Sequence, residues 1–306
     1  MTTLQLLVDN GVPINLLILM FVAGTEITAC DLRSLRRNPS PVVIGAIGQL
    51  ALLPILALAI VSGIKLQPAI ASGLIILSLC PGGGISNTYS YLARCNVLLS
   101  AAITTLGTVA SLITIPFWLA VLPSMAVTDD LHAVPASTII AQLLVFMLLP
   151  LSLGILLRHR TTVLVDRIAL GLRRISMILV LVILVAALTT VGRELVDFAF
   201  EIAVTASAFI LGAMMIGWLL AIRMKSRDAP VIVIESGVRN VGVALILGST
   251  ILSREDFGVF AGFVTGYFVV EVMIMLIYAA ILASHRRDES KRFTAPTLTG
   301  QAGILA

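Results

Sequence analysis

The chain has 306 residues, of which 59% are hydrophobic and 12% charged, and its mean hydropathy is +1.09. Soluble domains carry about 25% charged and about 45–50% apolar residues, so an ordinary soluble domain is excluded. The formal charge of +4 implies no nucleic-acid partner, because the basic residues fall between apolar runs where membrane topology accounts for them.

A bilayer-spanning helix needs about 20 mostly apolar residues. In chain order the apolar runs predict nine spans, over about 13–29, 40–62, 67–95, 97–122, 134–158, 168–192, 198–223, 228–252 and 256–284. No basic stretch followed by a small-residue cleavage site opens the chain, so no removable signal peptide is expected. The polar residues 285–306 are expected to form a short flexible tail. The cysteines, Cys30, Cys80 and Cys95, form an odd set without metal-ligand spacing, which supports neither a disulfide framework nor a zinc site.

Nine spans place the termini on opposite sides. Of the 20 basic residues, 16 then fall on the C-terminal side, from Arg33, Arg36 and Arg37 to Lys291 and Arg292. The other side receives only Lys65, Arg193 and Arg254. Lys/Arg bias in short loops sets orientation, so the C-terminus is expected in the cytoplasm and the N-terminus outside. The short loops favour a bacterial inner membrane. The remaining basic residue, Arg239, lies inside the eighth span, and Glu26, Glu235 and Glu271 also lie at membrane depth. Ionisable groups there are costly unless paired or hydrated, so each marks a candidate site.

The third and eighth spans carry interruptions. Cys80-Pro81-Gly82-Gly83-Gly84 combines a proline, which lacks a donor, with three destabilising glycines. The eighth holds the weaker Glu235-Ser236-Gly237. Gly84-Ile85-Ser86-Asn87 aligns with Gly237-Val238-Arg239-Asn240, and spans five apart run in opposite directions. Matched broken helices of opposite orientation mark inverted-repeat transporters with a midplane site. Repeat one would cover about 13–122, lacking its opening helix, and repeat two about 134–284, together one transmembrane domain over 13–284. A restarting helix offers free N–H groups to an anion, here around Gly84, Ile85, Arg239 and Asn240. The oxygens of Ser86, Asn87, Asn240 and Glu235 suit a hard cation.

The stretch from Cys80 to Asn87, continuing through Tyr91-Leu92-Ala93-Arg94 to Leu99-Ser100 and Thr104-Thr105, resembles the bile acid:sodium symporter family. Glu235-Ser236-Gly237-Val238-Arg239-Asn240 is similar to its second signature, and Gln49-Leu50-Ala51-Leu52-Leu53-Pro54 to a third. The resemblance implies panel and core domains, with the broken helices crossing in the core, and import of a small organic anion coupled to Na⁺. The residues show no nucleophile–base constellation, metal motif or phosphate-cradling loop, so no enzymatic activity and no cofactor beyond Na⁺ is expected, and no partner protein is readable. The resemblance implies one sodium site from Ser86, Asn87, Ser100, Thr104 and Glu235. A second would use Gln49, Glu235 and carbonyls near Ser236 and Val238, with glutamine where this chain has Arg239. A guanidinium cannot ligate a cation, so that second site is expected to be absent, with Arg239 supplying its charge or binding a substrate carboxylate.

Plainer roles compete for the same residues. Glu235 and Arg239 could form an intrahelical pair, Ser86 and Asn87 could cap a helix, and Ser100 and Thr104 could bond back to their own helix. Glu26 and Glu271 are possible coupling carboxylates, Glu26 lying near the rim. The rival functions are proton-coupled or exchanging transport of an organic anion on the same fold, and metalloid (arsenite) efflux using Cys80.

Overall fold

The computed structural model describes residues 3–27, 39–122, 135–161, 196–224 and 228–294, with scattered positions between 165 and 182. Every regular element within them is helical. The elements used below are α1 (Thr3–Glu26), α2 (Ser40–Gly63), α3 (Pro68–Leu79), α4 (Ile85–Leu92), α5 (Val97–Val121), α6 (136–160), α7 (Ala199–Ala221), α8 (Ala229–Gly237), α9 (Val241–Ile251) and α10 (Arg254–Thr294). Six described helices are long and apolar enough to cross a membrane, counting α8 and α9 as one path over Ala229–Ile251. Two shorter apolar helices, Pro13–Thr25 and Pro68–Leu79, fall on two further expected spans. The expected span 168–192, and Cys30 with it, lies largely or wholly outside the described residues.

Hydrophobic side chains face outward as well as inward. Ile113 is 75% exposed, Phe117 59% and Phe200 83%, whereas Gln49, Ser86, Ser100, Glu235, Arg239 and Glu271 are all buried. A soluble protein would bury the first set and hydrate the second. The inversion fits a lipid-facing surface around a polar centre, and the chain is a multi-pass membrane protein.

Three helix ends differ from the sequence expectation. Helix α1 starts at Thr3, not 13, with Pro13 inside it; Leu4, Leu6 and Leu7 are good helix formers. Helix α10 runs ten residues beyond the expected end at 284, to Thr294, because its Arg, Glu and Lys residues favour helix. Its start is fixed by a Ser253 N-cap: the Asp256 amide donates to Ser253 Oγ at 3.2 Å, and the Ser253 hydroxyl donates to Asp256 Oδ2 at 2.5 Å. The second interruption also moves. Glu235, Ser236 and Gly237 complete α8, and the break falls on Val238–Asn240.

Two of the kink-forming prolines sit just after a widened turn. The π turns Gly48–Leu52 and Leu144–Leu148 each precede a Leu-Pro pair, Leu53-Pro54 and Leu149-Pro150. Proline has no N–H for the regular ladder and its ring crowds the preceding turn, and the backbone answers with i→i+5 spacing. In α2 this widened turn holds Gln49, and the Trp118 indole of α5 donates to the Leu50 carbonyl at 2.9 Å.

Helices α1 and α6 meet backbone to backbone. A Cβ added at Gly24 would lie 2.1 Å from the Leu151 carbonyl oxygen, and one at Gly154 would lie 2.2 Å from that of Phe21. Small residues permit such approach where lipid supplies no hydrophobic drive between helices. Gly154→Leu is expected to separate α1 from α6 and cost about 1–3 kcal/mol, read as a lower melting temperature of the purified protein. An unchanged melting curve would contradict this seam.

Candidate functional site: a buried carboxylate where two helix breaks meet

The two interruptions touch. The Asn240 amide donates to the Pro81 carbonyl at 2.9 Å, and a Cβ on Gly83 would stand 3.0 Å from the Arg239 carbonyl oxygen. Glycine at 83 therefore lets one break lie against the other. Helix resumes at Ile85 and at Val241, so Gly84 and Asn240 are the equivalent capping positions. The four-residue sequence alignment is offset by three positions from these caps. Asn240 Oδ1 accepts the Val243 amide at 3.1 Å, which gives its side-chain oxygen the capping role.

Glu235, at the C-terminal end of α8, is completely buried. Its Oε1 accepts hydrogen bonds from Ser86 Oγ of α4 at 2.5 Å and from Ser100 Oγ of α5 at 2.5 Å. Thr104 Oγ1 lies 3.2 Å from Oε1 and 3.0 Å from Oε2. The Gln49 amide donates to Oε2 at 3.1 Å and to the Glu235 carbonyl at 3.1 Å, while its own oxygen accepts the Gly82 amide at 3.1 Å. Ser86 Oγ is 3.3 Å from Thr104 Oγ1 and 3.5 Å from Ser100 Oγ. Ser100 and Thr104 thus point across to the carboxylate instead of bonding back to their own helix. An isolated carboxylate at this depth would be costly, and hydroxyls and an amide from three helices, α2, α4 and α5, surround this one.

Arg239 is buried to 1% exposure. It forms no side-chain pair with the Glu235 carboxylate. Its Nη1 donates to the Cys80 carbonyl at 3.0 Å, and its Nη2 to the carbonyls of Glu235 at 2.6 Å and Ser236 at 3.1 Å. The Arg239 backbone amide donates to Glu271 Oε2 of α10 at 3.2 Å, and the Tyr267 hydroxyl donates to the Gly237 carbonyl at 3.0 Å. Glu271 therefore belongs to the second break.

Asn87 lines a small cavity with Met20, Ala23, Thr104, Thr105 and Thr108, beside the hydroxyl cluster. Gly84 has open space where a Cβ would stand, and Ile85 starts α4 half-buried. Glu26 ends α1; its side chain is outside the described residues. Cys80 is fully buried, its thiol donating to the Ile76 carbonyl at 3.3 Å. Among the described residues no group of three His, Cys, Asp or Glu side chains could hold a metal ion. A surface pocket lined by Tyr91, Arg94, Asn96 and Asp228 among others includes no residue of the Glu235 cluster.

A polytopic bundle with buried charges at two interrupted helices defines the class as membrane transporters. The Sodium Bile acid symporter family matches over residues 13–198, and the chain belongs to that family. It is accordingly a solute transporter and not an enzyme. The chain is 30% identical over 251 residues to the uncharacterized sodium-dependent transporter YocS of Bacillus subtilis (strain 168), covering 79% of this chain and 74% of that one. It is 26% identical over 282 residues to the sodium-dependent organic anion transporter of Rattus norvegicus, covering 90% and 74%. It is 28% identical over 285 residues to the P3 protein of Mus musculus, covering 90% of this chain and 60% of that protein.

Proposed function

We propose that this chain is a secondary active symporter that imports an organic anion together with Na⁺ by alternating access. The observation that carries the reading is the set of hydroxyls gathered on one buried carboxylate. Ser86 Oγ, Ser100 Oγ and Thr104 Oγ1 lie 2.5–3.2 Å from Glu235 Oε1, and Ser86 Oγ lies 3.3–3.5 Å from the other two hydroxyls. Oxygens so spaced can face one hard cation, which prefers such ligands, and Asn87 stands beside them. Entry of Na⁺ would exchange hydrogen bonds among these groups for ion contacts, with the hydroxyl hydrogens turning outward. The anion would lie at the restarting ends of α4 and α9, near Gly84, Ile85, Arg239 and Asn240, where the positive ends of the helix dipoles favour negative charge. Binding each charge beside the other lowers the cost of taking both from water, and that is the physical basis of their coupling.

The architecture proposed with it is nine spans in two inverted repeats, forming panel and core domains, in a bacterial inner membrane with the C-terminus in the cytoplasm. The relatives named for sodium dependence support the choice of ion.

A second reading, proton coupling or exchange, is favoured by one observation: Glu271 is a fully buried carboxylate held against the second break. Uptake of radiolabelled organic anions into proteoliposomes with an imposed Na⁺ or H⁺ gradient separates the two. Accumulation driven by the Na⁺ gradient is expected. Accumulation driven by H⁺ and indifferent to Na⁺ would reject the leading reading.

A further inference from the structure

The carbonyl of Cys80 closes the C-terminal end of α3, and those of Glu235 and Ser236 close the C-terminal end of α8. The carboxyl ends of two half-helices therefore converge. Each carries about half a negative charge, and carbonyls left over at a helix end need a partner when buried. Three converging carbonyl oxygens make a position suited to a cation. Here the partner is covalently attached: the Arg239 guanidinium bonds all three carbonyls, at 2.6–3.1 Å, and spans both breaks in doing so.

We propose that Arg239 is a tethered cation that permanently fills this carbonyl position, so that a transport cycle carries one Na⁺, at the Glu235 hydroxyl cluster, and none at the helix ends. The count of one rests on the sodium coupling proposed above; the filling of the carbonyl position does not. The side chain's two engaged nitrogens are already committed to main-chain oxygens, which makes the guanidinium a lasting part of the site's framework. Charge points the same way. With Glu235 and Glu271 both as carboxylates, the guanidinium and one Na⁺ leave the centre neutral, and a second mobile cation would overcharge it. A lysine at 239 would retain the positive charge. A glutamine would remove it and add an oxygen to the three carbonyls, opening the position to an ion.

The test is equilibrium binding of ²²Na⁺ to the purified protein and to Arg239→Gln and Arg239→Lys, with thermal melting to verify folding. One ion per protein is expected for the unaltered protein and for Arg239→Lys, and two for Arg239→Gln. Equal counts in the unaltered protein and a folded Arg239→Gln variant overturn the proposal, whatever the count is. No ion in the unaltered protein but one in Arg239→Gln would remove the sodium coupling proposed above and leave the tethered cation standing. Should Arg239→Gln not fold, the ratio of Na⁺ to substrate flux in the unaltered protein decides: one supports the proposal and two overturns it.

Discussion

Glu235→Gln is expected to reduce sodium affinity about 10²–10³-fold and to abolish uptake at ordinary sodium concentrations while the protein still inserts and folds. Among the described residues the carboxylate is the one acidic group hydrogen-bonded to Ser86, Ser100, Thr104 and Gln49. Removing one partner from a buried charge-stabilised cluster costs about 3–5 kcal/mol, and each 1.4 kcal/mol is tenfold in affinity. The amide keeps nearly the same shape, and its oxygen still accepts from the hydroxyls. Without sodium, the loss of a buried charge relieves desolvation, so melting in sodium-free buffer should not fall. The difference between the two readouts is the signature of a ligand rather than a structural prop. Normal sodium-driven uptake by the variant would end the assignment of this cluster as the coupling site.

Arg239→Met is expected to do the reverse, harming the fold before the transport. Methionine fills similar space but leaves the Cys80, Glu235 and Ser236 carbonyls without their donor and two buried carboxylates without the guanidinium. Breaking such a buried charge arrangement costs about 3–5 kcal/mol, which lowers the melting temperature by on the order of 10 °C. Adding sodium should restore part of the loss, since an ion bound only by the native state stabilises it by mass action. The measurement is thermal melting across a sodium series, and an unaltered melting temperature in sodium-free buffer would show that the three carbonyls do not depend on the arginine.

The six long apolar helices were legible because lipid imposes a local rule, about 20 apolar residues per crossing. The break at residues 80–84 was legible because proline and glycine act within one turn. The second break was placed three residues early. Glu235-Ser236-Gly237 stays helical in α8, and its last carbonyls are held by a side chain from the residues that follow, a device that local propensity does not reveal. Glu235 and Ser86 were marked by membrane depth and the breaks, Gln49, Ser100 and Thr104 by the family resemblance, and the structure brings the five together. Their meeting depends on pairs up to 186 residues apart in the chain, far outside any window of periodicity. Trp118 and Tyr267 went unnoticed for the same reason: the indole bond to the π turn that carries Gln49, and the phenol bond to the end of α8, join distant helices. Pro54 was the available clue to the widened turn. The Gly24–Gly154 seam had no sequence signal at all, since each glycine is isolated in its own helix.

That seam decides which parts can travel. Two helices fused at main-chain distance cannot slide past each other without a collision between carbonyl oxygens, so α1 and α6 form a weld. By contrast α1 meets α9 through the Leu16 side chain, whose terminal carbon lies 3.2 Å from where a Cβ on Gly242 would stand. Side-chain surfaces of this kind can shear. Under the alternating access proposed above, the slip plane would run between the welded pair and the helix that carries the second break, and the guanidinium would travel with that break.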